Sequence, residues 1–121
     1  MQLQRCLFAI SFLGILPVIH AQVGSIWYFG DHAGVEFVGN TVMPLNDGEL
    51  YSIESSTTMS GAVDGLLFYS NGGPLQTTAG KVWNRNHDVM PNGDMAFAGG
   101  CMSSNQGTIA VQRPGHPAQY Y

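Results

Sequence analysis

Asp64-Gly65-Leu66-Leu67-Phe68-Tyr69-Ser70-Asn71-Gly72 is the segment from which an all-β chain follows. Asp and Gly both tolerate positive φ, so Asp64-Gly65 suits a tight hairpin turn. Leu66–Tyr69 is apolar on both faces instead of alternating, the pattern of a central strand covered on both sides. Asn71-Gly72 closes the run with a second turn signal. Upstream, Ser52–Met59 is rich in β-favouring residues and predicts the other arm of a hairpin with Leu66–Ser70. Downstream, Lys81–Asn84 predicts a third antiparallel strand after the longer connection 71–80. The three make an up-down-up meander.

The same punctuation extends in both directions. Ile26–Phe29, Val35–Val38, Thr108–Gln112 and Gln119–Tyr121 read as further short strands. Asp47-Gly48, Asn92-Gly93 and Pro114-Gly115 read as turns between them. No window after residue 22 has helical periodicity of useful length; the best, Met95–Met102, is interrupted by Gly99-Gly100. A single sheet of three or four strands cannot cover both its own faces. The doubly apolar strands therefore call for further sheets of the same polypeptide or for another subunit.

Residues 1–21 read differently. Arg5 gives a positive start, Cys6–Ile19 a fourteen-residue apolar stretch, and Ala21 a small residue at a cleavage point. This is the layout of a secretory signal peptide. Fourteen residues of helix rise only about 20 Å, short of the hydrocarbon core. The expected organisation is a signal peptide over 1–21 and one domain over 22–121, with no membrane span after cleavage and a secreted or cell-surface location. Cleavage leaves Cys101 without Cys6, so no internal disulfide is expected, and the apolar Gly-Gly-Cys-Met context suggests a buried filler.

Charge excludes some functions. The full chain carries 4 Lys+Arg against 8 Asp+Glu, a net charge of −4. After cleavage Lys81, Arg85 and Arg113 remain against eight acids, a net charge of about −5. That is too few cations to track a phosphate backbone, so no nucleic-acid partner is expected. A 10% charged and 45% hydrophobic composition also excludes a disordered tail.

A set of segments together resembles a known family. Trp27-Tyr28-Phe29-Gly30 is followed by Ala33-Gly34, Phe37, Asp47-Gly48 and Glu54; then come Leu66-Leu67-Phe68-Tyr69-Ser70-Asn71-Gly72, Val82-Trp83-Asn84-Arg85-Asn86-His87 and Val89-Met90-Pro91-Asn92-Gly93; Gln106 and Arg113-Pro114-Gly115 precede Tyr120-Tyr121. This resembles the N-terminal region of large secreted or surface β-propeller-like proteins of gliding-type bacteria with type IX secretion. The resemblance implies an antiparallel meander forming the first blade and the start of a second, in a truncated copy. It departs from the family in a longer 72–82 connection and in ending where members continue into an apolar strand. Blades bury their faces on neighbouring blades, so the partners it implies are missing C-terminal blades or self-association.

Candidate chemistry is sparse. Trp83-Asn84-Arg85-Asn86-His87 could stack on and hydrogen-bond a sugar, and these five are the candidate ligand-binding residues. The competing reading, favoured by the frequency of Asn in turns, packs Trp83 between blades while Asn84, Arg85 and Asn86 fasten the turn before Met90-Pro91. Asp31-His32 and His87-Asp88 are poor chelating pairs, since neighbours on a strand point to opposite faces. No metal or cofactor is expected. Glu36, Glu49 and Glu54 offer carboxylates without a fixed separation, and Ser55-Ser56-Thr57-Thr58 and Ser103-Ser104 read as solvent-facing hydroxyls. Trp27-Tyr28-Phe29 reads as core. The function expected is an exported structural or binding module for glycan or protein ligands, contacted through loop tips such as 71–80, without catalysis of its own. The alternative is one wall of an extracellular hydrolase or lyase.

Overall fold

A computed structural model describes residues 24–61, 65–73, 80–95, 105 and 107–121. Residues 1–21, expected to be a signal peptide, lie outside the described residues, as do Asp64, the tip of the 71–80 connection, Ser103-Ser104, Cys101 and most of Met95–Met102. The described chain is all-β and antiparallel, built as two consecutive meanders. The first sheet contains β1 (Ile26–Phe29), β2 (Ala33–Val38) and β3 (Thr41–Leu45), in that order. The second contains β4 (Thr57–Gly61), β5 (Gly65–Ser70), β6 (Lys81–Asn84) and β7 (Val89–Asp94), also in chain order.

The expected meander is present in the second sheet. β4 and β5 form a hairpin from Gly61↔Gly65 to Thr57↔Ser70, with a bulge between Met59 and Ser60. Gly65 takes the positive φ (64°) that its place at the turn requires. β6 follows with Tyr69↔Trp83 in register. The doubly apolar β5 is thus an inner strand. Tyr69 is fully buried on one side, and on the other Phe68 meets Tyr120 edge-on at 5.2 Å. Tyr120 is delivered by a C-terminal turn in which Val111 and Tyr121 exchange backbone hydrogen bonds.

Several boundaries differ from the sequence expectation. β3 and β7 are strands although Pro44 and Pro91 sit within them. Both are edge strands, where a missing N–H costs no ladder bond. Asn92-Gly93 is not a hairpin turn but part of a bulge in β7: Lys81 pairs Asp94 while Trp83 pairs Val89, and Asn92 takes φ 61°. Ser52–Ser56 precedes β4 as bends and loop, and 108–112 and 119–121 contribute only the isolated bridge Gln112↔Tyr120.

Strand alternation splits Trp27-Tyr28-Phe29. Tyr28 enters the core at 4% exposure, whereas Trp27 (53%) and Phe29 (42%) project from the opposite face. The core is Tyr28, Leu50, Leu66, Tyr69 and Trp83, with Ile26 and Leu45 packed against it. The Ser55–Thr58 hydroxyls also depart from a solvent-facing run. Ser55 is buried, and Thr58 joins the two sheets, because the exposed bend Ile53-Glu54 turns the following residues inward.

Candidate functional site

The densest side-chain chemistry lies where the loop after β3 crosses the core. Tyr28 from β1 stacks on Tyr69 from β5 with ring centres 4.6 Å apart, and Tyr69 stacks on Trp83 from β6 at 5.3 Å. Alternation fixes each ring on the inner face of its strand, so three strands of two sheets contribute to one aromatic column. His87, at the turn after β6, meets both tyrosines at 5.7 Å. Its φ of 66° is a conformation few non-glycine residues adopt. That backbone kink points the imidazole back toward the column.

A polar chain runs over these rings. The Glu49 N–H donates to the Tyr69 hydroxyl (3.0 Å), leaving that hydroxyl to donate to His87 Nδ1 (2.9 Å). The tautomer consistent with this carries its proton on Nε2, which faces Asp47 Oδ2 at 3.5 Å. Asp47 Oδ1 in turn accepts from the Tyr28 hydroxyl at 2.7 Å. On the other side of the loop His32 Nδ1 lies 2.7 Å from the Gly48 carbonyl oxygen, and the His32 N–H donates to the Leu50 carbonyl. The segment 47–50 is therefore held between two histidines of positive φ, His32 (54°) and His87.

Electrostatics follow from these contacts. The Tyr28 hydrogen bond, aided by the nearby His87, holds the Asp47 carboxyl below its ordinary value, against a smaller opposing effect of burial. Burial, then the bond to Asp47, pushes the Tyr28 phenol far up. Burial likewise raises Tyr69, opposed by the Glu49 N–H. Each acid–base group in the chain is thus occupied by a neighbour, and the Tyr69 hydroxyl belongs to a fully buried residue. The arrangement positions the loop 47–50 over the aromatic column. Among the described residues no group of three or more His, Cys, Asp or Glu is placed to hold a metal.

The five residues Trp83-Asn84-Arg85-Asn86-His87 separate in space. Trp83 and His87 turn into the aromatic column, while Arg85 and Asn86 are exposed. Asn84 Oδ1 accepts from the N–H groups of Asn86 (2.8 Å) and Asp88 (3.1 Å), closing an Asx-type turn. Tyr28, Asp47, Tyr69 and His32 were not marked by the sequence as a group: Tyr28 read as core, Tyr69 as part of a central strand, His32 as half of a poor chelating pair and Asp47-Gly48 as a turn. Glu36 is half-buried on β2, and Glu49 and Glu54 are exposed.

A second feature is the seam between the sheets, an open cleft of about 320 Å³ lined by Trp27, Tyr28, Phe29, Ser56, Thr57 and Thr58. Comparison with protein-family models, curated proteins and solved structures finds no match to this chain.

Proposed function

We propose that the chain is an exported structural and binding module: a signal peptide over 1–21 followed by a partial β-propeller-like domain over 22–121, acting at the cell surface or in the medium without catalysis of its own. The observation carrying this reading is the balance of apolar surface. Five hydrophobic residues are buried, whereas eleven large ones are exposed among the described residues. Of these, Trp27, Phe29 and Val42 share one face of the first sheet, an exposure that supports contact with other protein. Occupation of every group in the Tyr28–Asp47–His87–Tyr69 chain supports scaffold over enzyme. Glycan or protein ligands would meet the exposed loops, with Arg85 and Asn86 the members of the 83–87 segment open to them.

The test is the intact mass of the product recovered from the native cell's envelope and medium. An exported species cleaved before residue 22 is the expected result. A larger exported species containing these peptides would place the covering blades in the same polypeptide. A cytoplasmic product retaining 1–21 would overturn the reading. Saturable binding to a polysaccharide or protein without product release separates a binding module from a hydrolase or lyase.

A further inference from the structure

The outer face of the first sheet is apolar at every position. Register places Trp27 beside Val35 and Pro44, Phe29 beside Ala33, and Phe37 beside Val42, all on the face opposite Tyr28. Trp27 and Phe37 meet edge-to-face at 5.2 Å. The Trp27 indole N–H is already taken by the Gly24 carbonyl at 2.8 Å. The face thus offers no charge and no free side-chain donor. A sugar needs such polar handles beside its stacking ring, so the chemistry points away from a glycan here and toward another flat apolar sheet.

We propose that this face is an interaction surface that mates with the same face of a second copy, forming a two-fold sandwich. Two arguments select that occupant. The net charge of −4 opposes casual self-association, yet no residue on this face of β1–β3 is charged, so apposing the face to its own copy puts no like charges in its centre. The area also fits. Two aromatic rings more than two-fifths open, with Val42, Pro44 and their neighbours, expose on the order of 500 Å². Two such faces remove roughly 1,000 Å² from water, the lower limit for a specific but transient interface. Aligned sheets pack about 10 Å apart, so Trp27 of each copy would become buried.

This rests on the reading of the chain as a module with uncovered sheet faces, but not on export, so the mass measurement can fail while this stands. The test is sedimentation equilibrium of the full chain over a concentration series, with tryptophan emission and acrylamide quenching read in parallel. Trp27 reports on the face, and the buried Trp83 is the internal control. The expected result is a monomer–dimer equilibrium with a midpoint on the order of tens to hundreds of micromolar, in which Trp27 emission shifts blue and its quenching falls severalfold on association. Val35→Lys is expected to weaken the dimer at least about tenfold. Val42→Lys, at an already exposed position, does the same should Val35→Lys fail to fold. Ile53→Lys, exposed elsewhere, leaves association unchanged. Overturning results are a monomer at all concentrations, association that survives Val42→Lys, or protection of Trp27 only on adding phosphatidylcholine vesicles.

Discussion

Thr58 on β4 places its single hydroxyl between the backbone N–H and C=O of Tyr28 on β1, accepting from the first at 2.8 Å and donating to the second at 3.3 Å. One side chain thereby satisfies both polar groups that Tyr28 turns away from β2. Removing the hydroxyl in Thr58→Val keeps the shape but leaves a part-buried donor and acceptor unpaired. The expected cost is about 1–3 kcal/mol. Thr58→Ser is expected to recover most of it. Urea midpoints of the three proteins check this.

The Tyr69 hydroxyl joins Glu49 to His87. Tyr69→Phe preserves the stacking with Tyr28 and Trp83 but strands the Glu49 N–H and His87 Nδ1. A loss of about 1–2 kcal/mol is expected, together with faster amide exchange over 47–50 and little change in the core strands. Hydrogen exchange read residue by residue distinguishes this local release from global unfolding.

Asp47 titrates below its ordinary 3.8, so its contribution to stability is present above that value and is lost as pH falls through the lower folded one. Asp47→Asn should flatten the acid limb of a stability profile taken below about pH 4. Tyr28 and Tyr69 behave oppositely. Their folded values lie above 10.0, so their contribution is complete below that pH and is lost as pH rises through the folded values. Phenolate absorbance of the folded protein should leave these two silent above pH 10 until the alkaline unfolding transition. Tyr28→Phe and Tyr69→Phe identify them.

Gly48 lies against the Tyr28 ring, where an added Cβ would come within 2.6 Å of Cδ1. The ring is wedged between Tyr69 and this loop and has nowhere to yield. Gly48→Ala is therefore expected to destabilise by about 1–3 kcal/mol through overpacking, with loss of near-ultraviolet aromatic dichroism as its signature. Gly115→Ala, at an exposed turn with nothing near its Cβ, tests backbone strain alone, since its φ is 75°.

Local pattern carried the chain far in some places. β1 and β6 coincide with the runs read from Ile26–Phe29 and Lys81–Asn84, and the β4–β5 hairpin follows from its turn and from β5's doubly apolar composition. Pro44 and Pro91 hid β3 and β7, because proline excludes a central strand but not an edge one. The period-2 rule was available for Trp27-Tyr28-Phe29, yet only the pairing with β2 and β3 shows that the whole outer face is apolar. The polar chain was not legible. Asp47 and His87 are forty residues apart in sequence, and their meeting depends on two sheets converging on one aromatic column. Nor could spacing reveal that His32 and His87 take positive φ, since glycine usually fills such positions.

The treatment of the strand edges decides how this molecule can multiply. Thr58 occupies the outer side of β1. Pro44 removes a donor from the outer side of β3, because β2 bonds β3 through the alternate residues. Pro91 and the kinked Asn92 interrupt β7. A chain rich in β-structure with an uncharged aromatic face would ordinarily be at risk of templated fibril growth, which adds strands edge to edge at a 4.7 Å repeat. Here that direction is obstructed at the rims while the broad side stays open. Growth by ribbon extension is thereby disfavoured, which leaves the face-to-face pairing proposed above as the mode to test.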